Sequence, residues 1–522
     1  MRVYEGDILT VDAQDSVARY LVEDDGRILF VGDDLPAEYE EVPVEHLRER
    51  ALCPAFVDTH EHLASFATFN AGLNVMHARS NRDIQAMVAD FAKRCSSKIL
   101  VAFGSSPYSV IEGRLLSRDE LDEVCPDRPV FMVKYDGHAC VVNTTLLEKI
   151  DGRVKGLRGY HPESGEMNQE AFFAVSDYIT GSLSIPELIG NIQKAMDFLA
   201  GRGIGMVHSV SGVGFVGDLD ISLEKWLGKS AQGGFQVRVF PQSMDARVAT
   251  KRKLPRIGGC FECALDGCFG SHDAALVDCY DDAIGGCGVL YYSDEQVIDF
   301  CKAANRAGLQ IEMHAIGDAA FDQATRALKA ALDDTPREDH RHGIIHACLP
   351  TEEGIAICAE YGIHLPVQTS FIGWPQEPDS YLSDILGAKR AARLNPLRQF
   401  VDSGIILSAG SDAPCTDPDP ILWIQRACNH SVPEQSLTVR EALRMCTYNG
   451  AWVTFDEKDR GSLESGKIAD MVILSQNPYD MAPKELGSLK VEGIILSGRP
   501  YEAQRQSALV AVARGIVSKG AM

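Results

Sequence analysis

His60 and His62, in the segment Pro54-Ala-Phe-Val-Asp58-Thr-His60-Glu-His62, place two imidazoles at the end of a short apolar strand. Side chains alternate along a strand, so residues two apart face the same way and reach one cation. Neutral imidazole is the commonest protein ligand of zinc-like ions. A lone His-x-His is as readily a polar strand end, so its meaning rests on what else the chain supplies. Four more donors follow apolar runs: Glu262 in Phe261-Glu-Cys-Ala-Leu-Asp266, His314 in Glu-Met-His-Ala-Ile-Gly-Asp318, His346 in Ile-Ile-His-Ala, and Asp412 in Ala-Gly-Ser-Asp-Ala-Pro. Each would be a polar group needing a partner if packed singly. Together they read as a centre for one or two divalent ions, zinc being best suited to four imidazoles and two carboxylates. Zinc lowers the pKa of its water toward ~7, and Asp412 is a carboxylate able to take the water's proton.

These donors need elements that bring them together. Candidate strands are Ala55 to Asp58, Gly205 to Val210, Phe235 to Phe240, Phe261 to Leu265, Gln310 to Ala315, Gly343 to Ala347, His364 to Gln368 and Ile405 to Ser411, with helical patterns between them. That alternation is the mark of parallel βα units and predicts an α/β fold, a (β/α)8 TIM barrel whose strand C-termini meet at one mouth. The barrel is expected over 55–63 and 201–454. Residues 64–200, with strand candidates Ile99 to Phe103 and Pro129 to Lys134, read as an insertion after the first barrel strand, a lid over the mouth. Alternating patterns in 1–54 and 455–505 predict a small β-sandwich domain built from both chain termini, and 506–522 a C-terminal helix.

At 522 residues, 45% hydrophobic and 24% charged, the chain is long enough for a barrel and a companion domain. Its formal charge of −24 argues against nucleic acid or an anionic membrane as partner. A small-molecule substrate is the expected partner, and a homodimer is a compatible assembly. The first residues lack a signal-peptide pattern and no run is long and apolar enough to span a bilayer, so a cytoplasmic location is expected. Fifteen cysteines are scattered along the chain and should be mostly free and buried. Cys260, Cys263, Cys268 and Cys287 are the densest group, a lesser zinc-site alternative whose spacing fits no known finger.

The six-donor pattern resembles the amidohydrolase superfamily, with His-x-His on strand one, a bridging carboxylated Lys or Glu on strand four, His on strands five and six, and Asp on strand eight. The resemblance runs through nearly the whole chain, including Gly461-Ser-Leu-Glu-Ser-Gly-Lys-Ile-Ala-Asp470-Met-Val-Ile-Leu. His314-Ala-Ile-Gly-Asp318, Asp136-Gly-His138 followed by Asn143, and Gly410-Ser-Asp412-Ala-Pro414 are similar to amidohydrolase family 3, which includes N-substituted formamide deformylase-like enzymes. Relatives there often carry Val-Lys-x-x-x-Asp-Gly, and Glu262 stands at the lysine position, leaving one metal or two open.

The resemblance implies hydrolysis of an amide-like, N-acyl or N-formyl C–N bond. Asp136 and His138 are candidates to reach the substrate from the insertion, His138 polarising its carbonyl, with a structural turn as the alternative. Gln368 on strand seven is a candidate substrate contact. Lys134 is either carboxylated or, more simply, part of a salt bridge. His208 is a candidate neighbour of the ligands, Asp318 a helix cap, and His272 a loop residue of undetermined role. Two other functions stay open: a metal-dependent deaminase of an aminated heterocycle, and a catalytically silent binding protein on the same scaffold.

Overall fold

Several of the eight candidate strands, such as Gly343 to Ala347, are apolar on both faces, the pattern of strands covered on two sides, while Gln310 to Ala315 alternates. A computed structural model of the protein describes residues 1–212, 215–230, 232–282, 284–503 and 507–518. It shows an α/β fold in which all eight form: Phe56–Glu61, Ile204–Ser211, Gln236–Pro241, Arg256–Ala264, Gln310–Ala315, Gly343–His346, Leu365–Val367 and Leu407–Ala409, numbered one to eight below. They pair in parallel ladders, three with two with one, four with five with six, and seven with eight. A Gly343–His364 bridge joins six to seven. Strand eight abuts strand one: Thr59 Oγ1 donates to the Ala409 carbonyl at 2.9 Å and the Asp412 amide to the His60 carbonyl at 2.8 Å. Gly410 permits this approach, since a Cβ there would lie 2.7 Å from the His60 nitrogen.

Helices between the strands begin on side chains that satisfy their free amides. Ser184 caps Ile185–Gly201 and Ser293 caps Asp294–Arg306, each in a reciprocal capping box. Their buried faces, Leu188, Ile192 and Leu199 on one and Val297, Phe300 and Cys301 on the other, join the largest apolar core.

Both chain ends meet in one seven-stranded sheet, in the order Arg499–Pro500, Val491–Leu496, Met471–Leu474, Val44–Pro54, Arg2–Leu9, Val17–Asp24, Arg27–Gly32. The long strand Val44–Pro54 is absent from the sequence expectation because its exposed charged residues mask the alternation. Residues 73–168 carry a separate six-stranded sheet with two apolar clusters of its own. The terminal helix spans Ala508–Val517; residues 504–506 and 519–522, also assigned from sequence, lie outside the described residues. No helix among the described residues is long and apolar enough to cross a membrane.

Candidate metal centre and substrate cavity

Parallel strands deliver the residues at their C-terminal ends to one place, and five of the six expected ligands arrive there, all buried. Asp412 Oδ1 lies 3.2 Å from His60 Nε2 and 3.3 Å from His62 Nε2. The sixth member of the cluster is Cys260. Its Sγ lies 3.2 Å from His60 Nε2, 3.3 Å from His314 Nδ1 and 3.7 Å from His346 Nε2. Two donor groups result, His60–His62–Cys260–Asp412 and Cys260–His314–His346, with the sulfur common to both.

Glu262 is not in the cluster, which corrects the sequence assignment. Strand four starts at Arg256, five residues before the apolar run that marked it. Its register against strand five shifts between Gly259 and Ala264, and Phe261 takes a left-handed φ of +48°. The resulting kink turns Cys260 inward, lays Phe261 against His62 with ring centroids 5.1 Å apart, and leaves Glu262 exposed. Gly258 allows the close packing: its φ is +128°, and a Cβ would fall 1.8 Å from the Glu312 carbonyl oxygen on strand five. The signal in the sequence is Ile257-Gly-Gly-Cys260, a strand start disguised by its glycines.

Gln368 is the second correction. Its Oε1 accepts from His346 Nδ1 at 2.6 Å, so it orients a donor of the cluster, and it does not line the cavity. His314 is held likewise, Nε2 donating to the Gly267 carbonyl at 3.2 Å and lying 3.4 Å from Asp266 Oδ1. Asp266 is pinned in turn by the amides of Ala275, Ile316 and Gly317. With those protons outward, His346 Nε2 and His314 Nδ1 present lone pairs to the centre.

Electrostatics suit the arrangement. Burial holds His60 and His346 below the ordinary imidazole range, hence neutral and able to ligate. Burial alone would raise Asp412, but the hydrogen bonds of His60 and His62 outweigh it and keep the carboxyl well below its usual range. Burial pushes the Cys260 thiol up, and a cation is what stabilises its thiolate. The donor set fits zinc: bonds of ~2.0–2.3 Å in a tetrahedron set donors about 3.3–3.6 Å apart, close to the spacings here.

A cavity opens beside the cluster, lined by His62, Cys260, His346 and Asp412 together with Asp136 and His138 of the insertion. Asp136 accepts from Lys134 Nζ at 2.6 Å, so the lysine takes the salt-bridge role. The His138 amide donates to Asp136 Oδ1 at 3.1 Å, forming the turn that aims the imidazole into the cavity. Trp374 and Glu377, which nothing in the sequence marks out, also line the cavity beside Tyr135. Glu377 Oε1 accepts from Tyr135 Oη at 2.9 Å, and burial pushes its carboxyl up to about 7.

The remaining candidates lie apart. His208 Nε2 meets Thr454 Oγ1 at 3.1 Å, His272 pairs with Asp282 at 2.7 Å, and Asp318 begins the helix Asp318–Asp334 while accepting from the Val277 amide. The four-cysteine alternative does not form: Cys287 is disulfide-bonded to Cys279, and every other cysteine is free.

Known proteins resemble the chain over most of its length. The family model described as "Amidohydrolase family" matches residues 44–501. An N-substituted formamide deformylase of Arthrobacter pascens is 24% identical over 538 residues, covering 94% of this chain and 96% of its own. A 5-methylthioadenosine/S-adenosylhomocysteine deaminase of Caldanaerobacter subterraneus is 26% identical over 247 residues, 44% of this chain and 53% of its own. Among solved structures, an uncharacterized metal-dependent hydrolase from Pyrococcus furiosus superposes with a TM-score of 0.74 at 24% identity, covering 92% of this chain and 100% of that one.

Proposed function

The chain belongs to the amidohydrolase family, and from that premise we propose that it hydrolyses the C–N bond of a small N-acyl or N-formyl amide. We read the eight parallel strands as a (β/α)8 barrel, the terminal sheet as part of a β-sandwich, and residues 64–200 as a lid. The observation that carries the reading is the position of Cys260 Sγ, common to both donor groups and flanked by Asp412 at the cavity wall. His60, His62, Cys260, His314, His346 and Asp412 would hold one or two divalent ions, zinc by donor type. Such an ion supplies activated water at neutral pH and withdraws charge from a carbonyl oxygen.

The chain's own residues do the rest. Asp412, kept ionised by its two imidazoles, takes a proton as the water oxygen bonds to the carbonyl carbon. It returns that proton to the nitrogen as the C–N bond breaks, so the amine leaves neutral. His138 donates a hydrogen bond to the carbonyl oxygen as charge builds there.

Metal analysis tests the centre. Cys260→Ala should lower the divalent metal bound per chain, and Glu262→Gln should leave it at the wild-type value. Metal lost from the glutamine variant and kept by the alanine variant would return the strand-four role to Glu262.

Glu377 favours a second reading. A buried carboxyl that titrates near neutrality in the cavity wall is able to protonate a ring nitrogen, which deamination of an aminated heterocycle requires. The deaminase relative is consistent with that chemistry. Amine release from N-formyl and N-acetyl amines, assayed beside ammonia release from aminated purines and pyrimidines, separates the two. Bound metal without turnover in either panel would favour the silent binding protein.

A further inference from the structure

A second cavity adjoins the first and shares His62, Asp136, Phe261 and Cys415 with it. Its wall is a run of aromatic rings starting at the metal centre. From His62 the centroids step 5.1 Å to Phe261, 5.9 Å to Phe173, 5.5 Å to Phe172 and 6.4 Å to Phe131, and Phe69 lies 6.5 Å from Phe131 and 5.1 Å from Phe103. Phe103, Phe131 and Phe172 also belong to the insertion's own core. Phe173, on the helix Gln169–Gly181, remains 37% exposed.

Polar groups in the wall are mostly spoken for. Thr68 Oγ1 donates to the Ala64 carbonyl at 2.9 Å and Thr180 Oγ1 to the Ser176 carbonyl at 3.0 Å, both within their own helices. Asp136 is neutralised by Lys134. Among the described residues no lysine or arginine lines the chamber, so an anionic group entering it would lose water without gaining a counter-charge. An apolar group, in contrast, gains by covering rings that water now touches.

We propose that this chamber is the specificity pocket for an uncharged aromatic or branched aliphatic arm attached to the scissile C–N bond. The assignment rests on the hydrolase reading for its chemistry and on the ring-lined cavity for its selectivity. It places selection on Phe173, Phe261 and Ser176, which wall the chamber from the insertion and from strand four.

Binding and turnover test it separately. By fluorine NMR, 4-fluorobenzyl alcohol should broaden on adding metal-stripped protein, and 4-fluorobenzoate should not. Ser176→Phe, which fills the chamber, and Phe173→Ser, which removes an exposed part of its wall, should each reduce the broadening in protein whose melting curve shows it folded. With zinc-loaded enzyme, two matched series are assayed, N-alkylformamides growing on nitrogen and N-methylamides growing on the acyl side. One series should gain about fourfold in kcat/KM per added methylene until the chamber is full. The ratio of butyl to methyl should fall at least tenfold in Ser176→Phe. A neutral probe that does not bind, or two flat series, would overturn the pocket. Probe binding lost in both variants, with ammonia release as the only activity, would keep the pocket and remove the amide reading.

Discussion

Replacing Gln368 with Met tests whether it orients a metal donor or meets the substrate. Methionine keeps nearly the same length and volume but offers no strong acceptor to His346 Nδ1. The lost bond is short, 2.6 Å, and both residues are buried, with Gln368 3% and His346 2% exposed. Losing a bond to a buried donor costs about 1–3 kcal/mol. In metal-free protein the imidazole has an escape: its proton moves to Nε2, toward Cys260. In the loaded protein that nitrogen must keep its lone pair, so the cost falls on metal binding. The expected result is zinc affinity ~10–100-fold weaker, the range found when such outer partners are removed. Competition against a chromogenic zinc chelator at fixed pH reads it directly, and the melting temperature of stripped protein should move less than that of loaded protein. Wild-type zinc affinity with a raised KM would refute this reasoning and make Gln368 a substrate contact, as its place on strand seven first suggested.

Three further outcomes are expected. Asp412→Asn should lower kcat by about 10²–10⁴-fold while retaining part of the metal, because the amide keeps an oxygen donor and cannot take a proton; near-wild-type kcat at matched metal content would remove Asp412 from proton transfer. His138→Ala should lower kcat by about 10²–10³-fold at unchanged metal content, and unchanged kcat and KM would assign the imidazole to turn structure alone. Glu377→Gln should alter how stability depends on pH. The wild-type carboxyl titrates near 7 when folded and near 4.5 when unfolded, so the folded state holds the extra proton between those values. Native stability should therefore fall as pH rises from about 4.5 to about 7, by up to ~3 kcal/mol relative to the glutamine variant. Urea melts at pH 5 and pH 8 showing a constant difference between the two proteins would mean that Glu377 is already ionised.

Much of this site was legible in the sequence because apolar strands and polar strand ends obey local rules. His60, His62, His314, His346 and Asp412 each come at or after the end of a short strand-like run, and parallel topology does the converging. Phe261-Glu-Cys-Ala-Leu265 misled for a local reason as well: it resembles a strand, whereas pairing begins at Arg256 and passes through two glycines that propensity disfavours. Strict alternation would give Cys260 and Glu262 the same face, and the left-handed Phe261 between them breaks it, leaving a buried thiol where the sequence pointed to a carboxylate. Glu377, Trp374 and the ring-lined chamber were illegible for a different cause. They are set by how the insertion and the loop after strand seven lie against the strand ends, and no periodicity records that.

The strand ends also show how the fold aims its donors. Phe261 within strand four, His346 at the end of strand six and Asp412 beyond the end of strand eight have φ values of +48°, +72° and +56°. L-residues adopt that region at a cost, more for an aromatic ring than for aspartate. Each is held by surrounding structure: Asp412 by its amide bond to the His60 carbonyl, His346 by Gln368, and Phe261 by the packing of its ring on His62. A straight continuation of strand four would have pointed Cys260 and Glu262 the same way. The left-handed residue between them separates the two, sending the sulfur to the imidazoles and the carboxylate to solvent. The stability given up at these three positions is thus tied to the convergence of donors on which the proposed chemistry depends.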